Sequence, residues 1–327
     1  MLTKSLIAML IGFIFSAVFA MVLIPFLKKM AGQSISIYLR KTHKSKQGTP
    51  TMGGLIFIVP TIIITLLLIM FSKIHFSYTL LIILFTLISY TIIGFIDDYL
   101  IVKQKNNKGF TVTTKFLLQM IVATFFFYLF MKGGNEPLLW IHSLNFKLSI
   151  GWFYGIFILF VLVACSNAVN LTDGLDGLAA GLSAICFITF GIISWHTGWL
   201  AGYEDIVILA FVLSGAILGF LLFNKHPAKV FMGDTGSLAL GATIGAYAIM
   251  TRHEVLLVLI GIVFVVETLS CIIQIIYYKF TKKRFFLMTP IHHTFEKKGM
   301  KEKNIVRLFW LIGLFASVLA LMWGVLL

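Results

Sequence analysis

The chain returns repeatedly to unbroken apolar runs of about 20 residues, a length that crosses the hydrocarbon core of a bilayer as a helix. Inside a bilayer only helices and closed barrels satisfy their own backbone. The runs cover about Ser5–Leu27, Gly54–Phe71, Ser77–Ile96, Phe116–Met131, Ile150–Leu171, Leu175–Trp195, Ile206–Phe223, Gly236–Met250, Val255–Tyr278 and Leu308–Leu327. The fourth and eighth are the shortest. A mean hydropathy of +1.02, with only 12% charged residues, lies far from a water-soluble domain. The pattern predicts an all-α polytopic membrane protein: about ten transmembrane helices in a single membrane domain, 1–327. The first run is too long for the apolar part of a secretion signal and carries no cleavage site, so it reads as a span. Cys165, Cys186 and Cys271 all lie in apolar runs, which argues against a disulfide framework or a CxxC metal site.

Lys and Arg set the orientation. Of the 26, all but Lys4, Lys73, Lys132, Lys147 and Arg252 fall in the loops after the odd-numbered spans or at their edges. Those loops are therefore expected in the cytoplasm and both termini outside. The net charge of +14 sits mostly on the cytoplasmic face. It suits contact with anionic lipid headgroups and equally the attraction of an anionic cytosolic substrate.

Against that basic face the acids are sparse and clustered. Asp97, Asp98, Asp173, Asp176 and Asp234 lie at the same side of the membrane, and only Asp205 lies at the other. Carboxylates gathered in a basic face suggest a hard divalent cation held by oxygen, with substrate phosphates completing the shell. No HExxH or Cys/His spacing for zinc is present. In "GFIDDYL" the adjacent Asp97 and Asp98 point about 100° apart on a helix, so one can face a metal while the other handles a proton or positions a Lys. At the C-terminal end of span 3 their charge is locally unfavourable and calls for compensation.

"NAVNLTDGLDGLAAG" places Asn167 and Asn170 one helical turn apart and repeats the spacing in Asp173 and Asp176. Thr172 or Asp173 is placed to N-cap span 6. The stretch reads as a polar pocket floor at membrane depth, and polar groups there are functional candidates. "NKHPAKVFMGDTGSLALG" sets Asp234 between two glycines just before span 8, where free helix N–H groups favour anions. Phe231 is either interface packing or a platform for a base. "HKSKQGTPTMGG" offers Lys46 one turn outside span 2, with Thr51 as a candidate cap. "TPIHHTFEKKG" pairs His292 and His293, suited to metal or proton work or to neither. In span 9, Glu267, Ser270 and Gln274 form one polar stripe; Glu267 is a buried structural acid or part of a groove or proton path. All these clusters except Glu267 project to one membrane face, together with the N-termini of spans 2, 6 and 8. That combination describes a phosphoryl-transfer site, where positioning and charge neutralisation dominate.

"GTPTMGG", "GFIDDYL", "NAVNLTDGLDGLAAG", "PAKVFMGDTGS" and "PIHHTFEKKG" together resemble the phospho-N-acetylmuramoyl-pentapeptide transferases, a branch of the polyprenyl-phosphate N-acetylhexosamine-1-phosphate transferases. The resemblance covers nearly the whole chain. It implies transfer of phospho-MurNAc-pentapeptide from UDP-MurNAc-pentapeptide to undecaprenyl phosphate, giving lipid I and UMP. It further implies Mg²⁺, a homodimer in the bacterial cytoplasmic membrane, an active site facing the cytoplasm, a bent span 9 beside a lipid groove, and no nucleic-acid partner. By motif, Asp234 would hold Mg²⁺, and Asp97 and Asp98 would serve the polyprenyl phosphate and proton handling, with His292 and His293 beside them. Lys46, Thr51, Asn170, Asp173, Asp176, Asn224, Phe231, Gln274 and His293 would line the nucleotide-sugar pocket, with Phe231 stacked on uracil. Thr294 departs from the family, which commonly has a third His there. The rival readings are a sister transferase using UDP-GlcNAc and a secondary transporter. The "GTPTMGG" and "PIHH" loops argue against the first, and the one-sided acids against the second.

Overall fold

The computed structural model describes residues 1–29, 48–104, 109–141 and 146–326. Helices dominate: α1 (Leu2–Lys29), α2 (Leu55–Met70), α3 (Tyr78–Gln104), α4 (Val112–Lys132), α5 (Phe153–Thr172), α6 (Leu178–Trp195), α7 (Tyr203–Asn224), α8 (Gly233–Met250), α9 (Glu254–Ile260), α10 (Ile262–Thr281), α11 (Ile291–Lys297) and α12 (Glu302–Leu326). Eight of them, α1, α3, α4, α5, α6, α7, α10 and α12, are long and apolar enough to cross a membrane. This is a multi-pass membrane protein. Each of the ten apolar runs coincides with helix, but α2 has only 16 residues and α8 is diluted by Gly, Ser and Thr.

Burial sorts these helices. From Thr235 to Met250 every residue of α8 is buried, and α8 packs against α3 and α5. α7 is enclosed between α1 and α6. In lipid there is no hydrophobic drive between helices, so close packing through small residues takes over. Gly94 of α3 lies where an added Cβ would collide with the Asp234 carbonyl, so the two backbones touch at the start of α8. Several buried hydroxyls are satisfied by their own helices: Thr61, Thr86, Thr91, Ser214 and Thr243 each donate to the carbonyl four residues back.

Three local features sharpen the sequence reading, and the second and third depart from it. Span 9 carries the bend that the resemblance implies: it is two helices, α9 and α10, broken at Gly261, which closes one and opens the other. An apolar cleft of about 390 Å³ opens there, between α5 and the α9–α10 pair, lined by Phe160, Ala164, Ala168, Leu257, Phe264 and Leu269. Between α4 and α5 lies a short antiparallel hairpin, β1 (Leu138–Ile141) with β2 (Phe146–Ser149), Leu138 opposite Ser149. Four-residue strands are too short to give a readable alternation. Finally, α3 continues past Asp97 and Asp98 to Gln104, so the two acids are not at the helix end, and the expected clash with its negative pole is weakened.

Candidate active site

α3 and the start of α8 meet at one end of the bundle, and their carboxylates divide the work. Asp98, 1% exposed, turns toward the first turn of α8. It accepts from Asp234 N at 3.2 Å, Thr235 N at 3.0 Å and Thr235 Oγ1 at 2.6 Å. Thr51 Oγ1 adds a longer bond at 3.4 Å. Asp98 thus caps a helix from outside it, at the positive pole. Thr51 serves Asp98 and does not cap α2, whose N-cap is Gly54 with no side-chain bond.

Asp97 points elsewhere. Its Oδ1 accepts from Phe110 N at 2.6 Å, and its Oδ2 from Lys115 Nζ at 3.1 Å. The same ammonium donates to Asp234 Oδ2 at 2.5 Å. Asn170 Nδ2 donates to Asp234 Oδ1 at 2.7 Å and to Ser237 Oγ at 2.9 Å. Two carboxylates from different helices therefore converge on one lysine, in a half-buried site where Asp97 is enclosed and Lys115 and Asp234 keep some access to solvent. Lys115, in the first turn of α4, was not singled out from the sequence. Its signal was there: a lone Lys just before the start of an apolar run, "TVTTKFLLQ". The donor set also fits Mg²⁺, because Asp97 Oδ2 and Asp234 Oδ2, both hard oxygens, already approach a common cation position.

The fifteen-residue motif splits in use. Asn170 reaches Asp234, whereas Asn167 Nδ2 bonds Gln119 Oε1 at 3.1 Å and Val163 O at 2.8 Å, tying α5 to α4. Thr172 closes α5, with Oγ1 bonded to Ala168 O, and Asp173 is the C-cap of α5. Neither caps α6, whose N-cap is Gly177 in the left-handed region at φ 80°. Asp176 is drawn to His226 and Glu302.

Glu267 is not apart from the other clusters. It is fully buried in α10, and Oε1 lies 3.1 Å from Nδ1 of the fully buried His292, though not aligned as a hydrogen bond. Glu267 Oε2 accepts from His292 N at 3.4 Å. His292 Nε2 abuts Gly174, where an added Cβ would sit 2.5 Å from it. His293 pairs with Glu296 at 2.6 Å. Thr294 Oγ1 bridges the backbone of Met288, donating to its carbonyl and accepting from its N–H, so here the departure from a third His closes a turn.

The remaining candidates stand as follows. Asn224 is buried, and its amide donates to Val230 O at 3.0 Å, shaping the α7–α8 loop. Phe231 is half-buried, and its backbone bonds Pro50 O and Gly53 N. Gln274 Oε1 accepts from Phe285 N and Phe286 N, folding the segment after α10 back on it. Lys46 lies outside the described residues.

A membrane helix bundle whose buried acids and one lysine meet at a helix N-terminus has the equipment of a phosphate-handling membrane enzyme. A family model described as glycosyl transferase family 4 matches residues 80–252. A phospho-N-acetylmuramoyl-pentapeptide-transferase signature matches residues 46–58. Proteins named phospho-N-acetylmuramoyl-pentapeptide-transferase are 44% identical over 321 residues in Oceanobacillus iheyensis, covering 97% of both chains. Those of Geobacillus thermodenitrificans and Bacillus subtilis are each 45% identical, covering 96% of both chains, and 97% of this chain and 96% of the relative, respectively. The chain belongs to the phospho-N-acetylmuramoyl-pentapeptide-transferase family.

Proposed function

We propose that the chain transfers phospho-MurNAc-pentapeptide from UDP-MurNAc-pentapeptide to undecaprenyl phosphate, giving lipid I and UMP for peptidoglycan synthesis. The observation that carries this reading is the meeting of Asp97, Asp98 and Asp234 with Lys115 at the start of α8, in a chain whose relatives bear the name of that reaction. In this reading the acid-bearing end faces the cytoplasm, ten spans form one domain with both termini outside, and two copies pair in the bacterial membrane. The apolar cleft beside α5 takes the polyprenyl chain. Asn170, Asp173, Asp176, Thr51, Asn224, Phe231, Gln274, Lys46 and His293 line or shape the donor pocket.

Both reactants are anions. An oxygen of the lipid phosphate attacks the sugar-linked phosphorus of the donor, the bond to UMP breaks, and UMP carries the pair away. Mg²⁺, held by Asp234 with Asp97 beside it, would neutralise the pyrophosphate charge. Lys115 supplies a cation for the crowded phosphates, and Asn170 orients Asp234. Asp98, enclosed and already accepting bonds from the start of α8, is occupied as a cap, which supports direct attack by lipid over a covalent phosphosugar on Asp98. His292, held by Glu267 behind Gly174, supports the loop that receives the donor.

Incubating the purified protein with UDP-MurNAc-pentapeptide, polyprenyl phosphate and Mg²⁺ tests the proposal. UMP and a lipid-linked sugar are expected, both lost with a chelator, and neither formed from UDP-GlcNAc. Turnover of UDP-GlcNAc alone, or substrate flux in proteoliposomes without UMP, overturns it. A phosphosugar trapped on Asp98 with lipid withheld, found by mass spectrometry, overturns the one-step route.

A further inference from the structure

Asp176 ends the α5–α6 loop in a buried position, and its partners come from distant parts of the chain. Its Oδ2 accepts from His226 Nδ1 at 2.9 Å and from Ala228 N at 3.1 Å, both in the α7–α8 loop. Its own N–H donates to Glu302 Oε1 at 2.7 Å, at the first residue of α12. Glu302 Oε2 lies 3.2 Å from the same His226 nitrogen. Two carboxylates thus share one imidazole, and backbone N–H groups from two loops serve them. Two acids so close, mostly out of water, repel unless donors hold them. Removing the imidazole therefore loosens three elements together.

The surroundings give the loop little slack. α12 is seated on the start of α6 by Trp310 Nε1, which donates to Leu178 O at 3.3 Å. At the other end of the same loop, Asp173 closes α5 and His292 is lodged against Gly174. The carboxylates of the reaction centre make different bonds, to Lys115, Phe110, Thr235 and Asn170. Among the described residues these bonds and those of the Asp176 cluster involve different partners, and the α5–α6 loop links the two groups.

We propose that His226 and Glu302 are positioning residues, which hold Asp176 and the Asp173–Gly177 loop in the orientation that receives the nucleotide-sugar donor. This rests on the reading above that Asp173 and Asp176 line the donor pocket. The ring nitrogen and the two carboxylates lie within 4.8 Å of one another, a spacing that a metal ion also fits. The N–H groups of Ala228 and Asp176 already donate into the cluster, which favours a clasp of hydrogen bonds.

Steady-state kinetics of His226→Ala, His226→Asn and Glu302→Gln, each shown to be folded by gel filtration and thermal melting, test the clasp. His226→Ala is expected to raise the KM for UDP-MurNAc-pentapeptide about tenfold, the scale of one lost hydrogen bond to a charged group. kcat and the KM for polyprenyl phosphate should stay within about twofold, the signature of lost donor binding. His226→Asn keeps an N–H for Asp176 and should recover most of the loss. Glu302→Gln keeps an acceptor oxygen for the Asp176 N–H and should show the smaller shift. An unmoved donor KM in His226→Ala, or a loss confined to kcat or to the lipid, overturns the clasp. So does an Asn variant as damaged as the Ala variant, which is the behaviour of a metal ligand. Wild-type protein that releases no UMP would remove the function proposed above, and the clasp with it; wild-type turnover with an unmoved donor KM in the variant removes the clasp alone.

Discussion

The two ends of the helix bundle carry similar residues and balance them differently. At the end opposite the acid cluster, Arg252 donates to Leu138 O at 2.9 Å, Tyr154 Oη at 3.2 Å and Glu136 O at 2.7 Å, with its guanidinium over the Phe130 ring. The Tyr154 hydroxyl in turn bonds the buried Glu254. Cation, hydroxyl and acid close into one satisfied unit. At the acid-bearing end, among the described residues, Asp97 and Asp234 divide a single ammonium, and neither ring nitrogen of the buried His292 makes a hydrogen bond. Leaving buried charge short of partners costs stability, so imbalance of this kind points to a ligand that completes the set. Burial of charge is common to both ends. The deficit of partners separates the end proposed to perform chemistry from the end that holds the fold.

The strongest way to break this comparison is at Asp234. Asp234→Ala is expected to lower Mg²⁺-dependent UMP release by about a thousandfold or more, the scale of removing a charge-stabilising group from such a site. The protein should stay folded in detergent, because the substitution also removes a repulsive partner of Asp97. Retained UMP release, measured by chromatography, would remove Asp234 from the metal site.

Arg252→Ala should do the reverse. It leaves Glu254 buried without its cationic neighbour and the carbonyls of Leu138 in β1 and Glu136 in the loop before it without this donor, which costs about 3–4 kcal/mol of stability. Thermal melting should register the loss, while kcat per folded molecule stays unchanged. A fall in kcat with the melting temperature preserved would show that the two ends are coupled.

The sequence made the helices and the gathering of Asp97, Asp98 and Asp234 at one end of the bundle legible, because run length and charge asymmetry are each direct consequences of the bilayer, but it also grouped Asp176 with them, which pairs instead with His226. It did not distinguish the jobs of neighbouring residues. Asp97 and Asp98 are adjacent, yet one meets Lys115 and the other caps α8, a division set by where α8 begins in space. Thr51, Thr172 and Asp173 sit where local patterns suggest helix caps, and tertiary partners or the preceding helix claimed them instead. Glu267 looked isolated because its partner, His292, is 25 residues away. Lys115 was passed over because a single cation at the edge of a span reads as an orientation signal.

Lys115→Met tests whether that overlooked residue is the hinge of the imbalance. With its ammonium gone, Asp97 and Asp234 face each other without an internal cation. A fall in kcat of about a hundredfold is expected, the lower edge of what one charge-stabilising donor contributes. The Mg²⁺ requirement should shift as well, since among the described residues no other cation bonds the two acids. A variant with unchanged kcat and unchanged Mg²⁺ dependence would make the Lys115 bridge a structural tie like Arg252, and the contrast between the ends would lose its chemical basis.

The smallest expected effect is the most local form of the comparison, one turn along a single helix. Asn167 and Asn170 share a spacing that puts them on one face of α5, but Asn167 bonds Gln119 of α4 and Asn170 bonds Asp234 of α8. A hydrogen bond between membrane helices contributes about 0.6 kcal/mol on average. Asn167→Ala should therefore cost about 1 kcal/mol or less in melting experiments, and leave UMP release untouched, since its side chain bonds Gln119 and the Val163 carbonyl and none of the clustered acids. Asn170→Ala should leave the melting temperature nearly level and slow turnover, because the carboxylate it orients is the one assigned to the metal. If the two variants instead change stability and turnover in the same proportion, then α5 responds as one rigid unit, and the boundary between scaffold and chemistry does not run between residues 167 and 170.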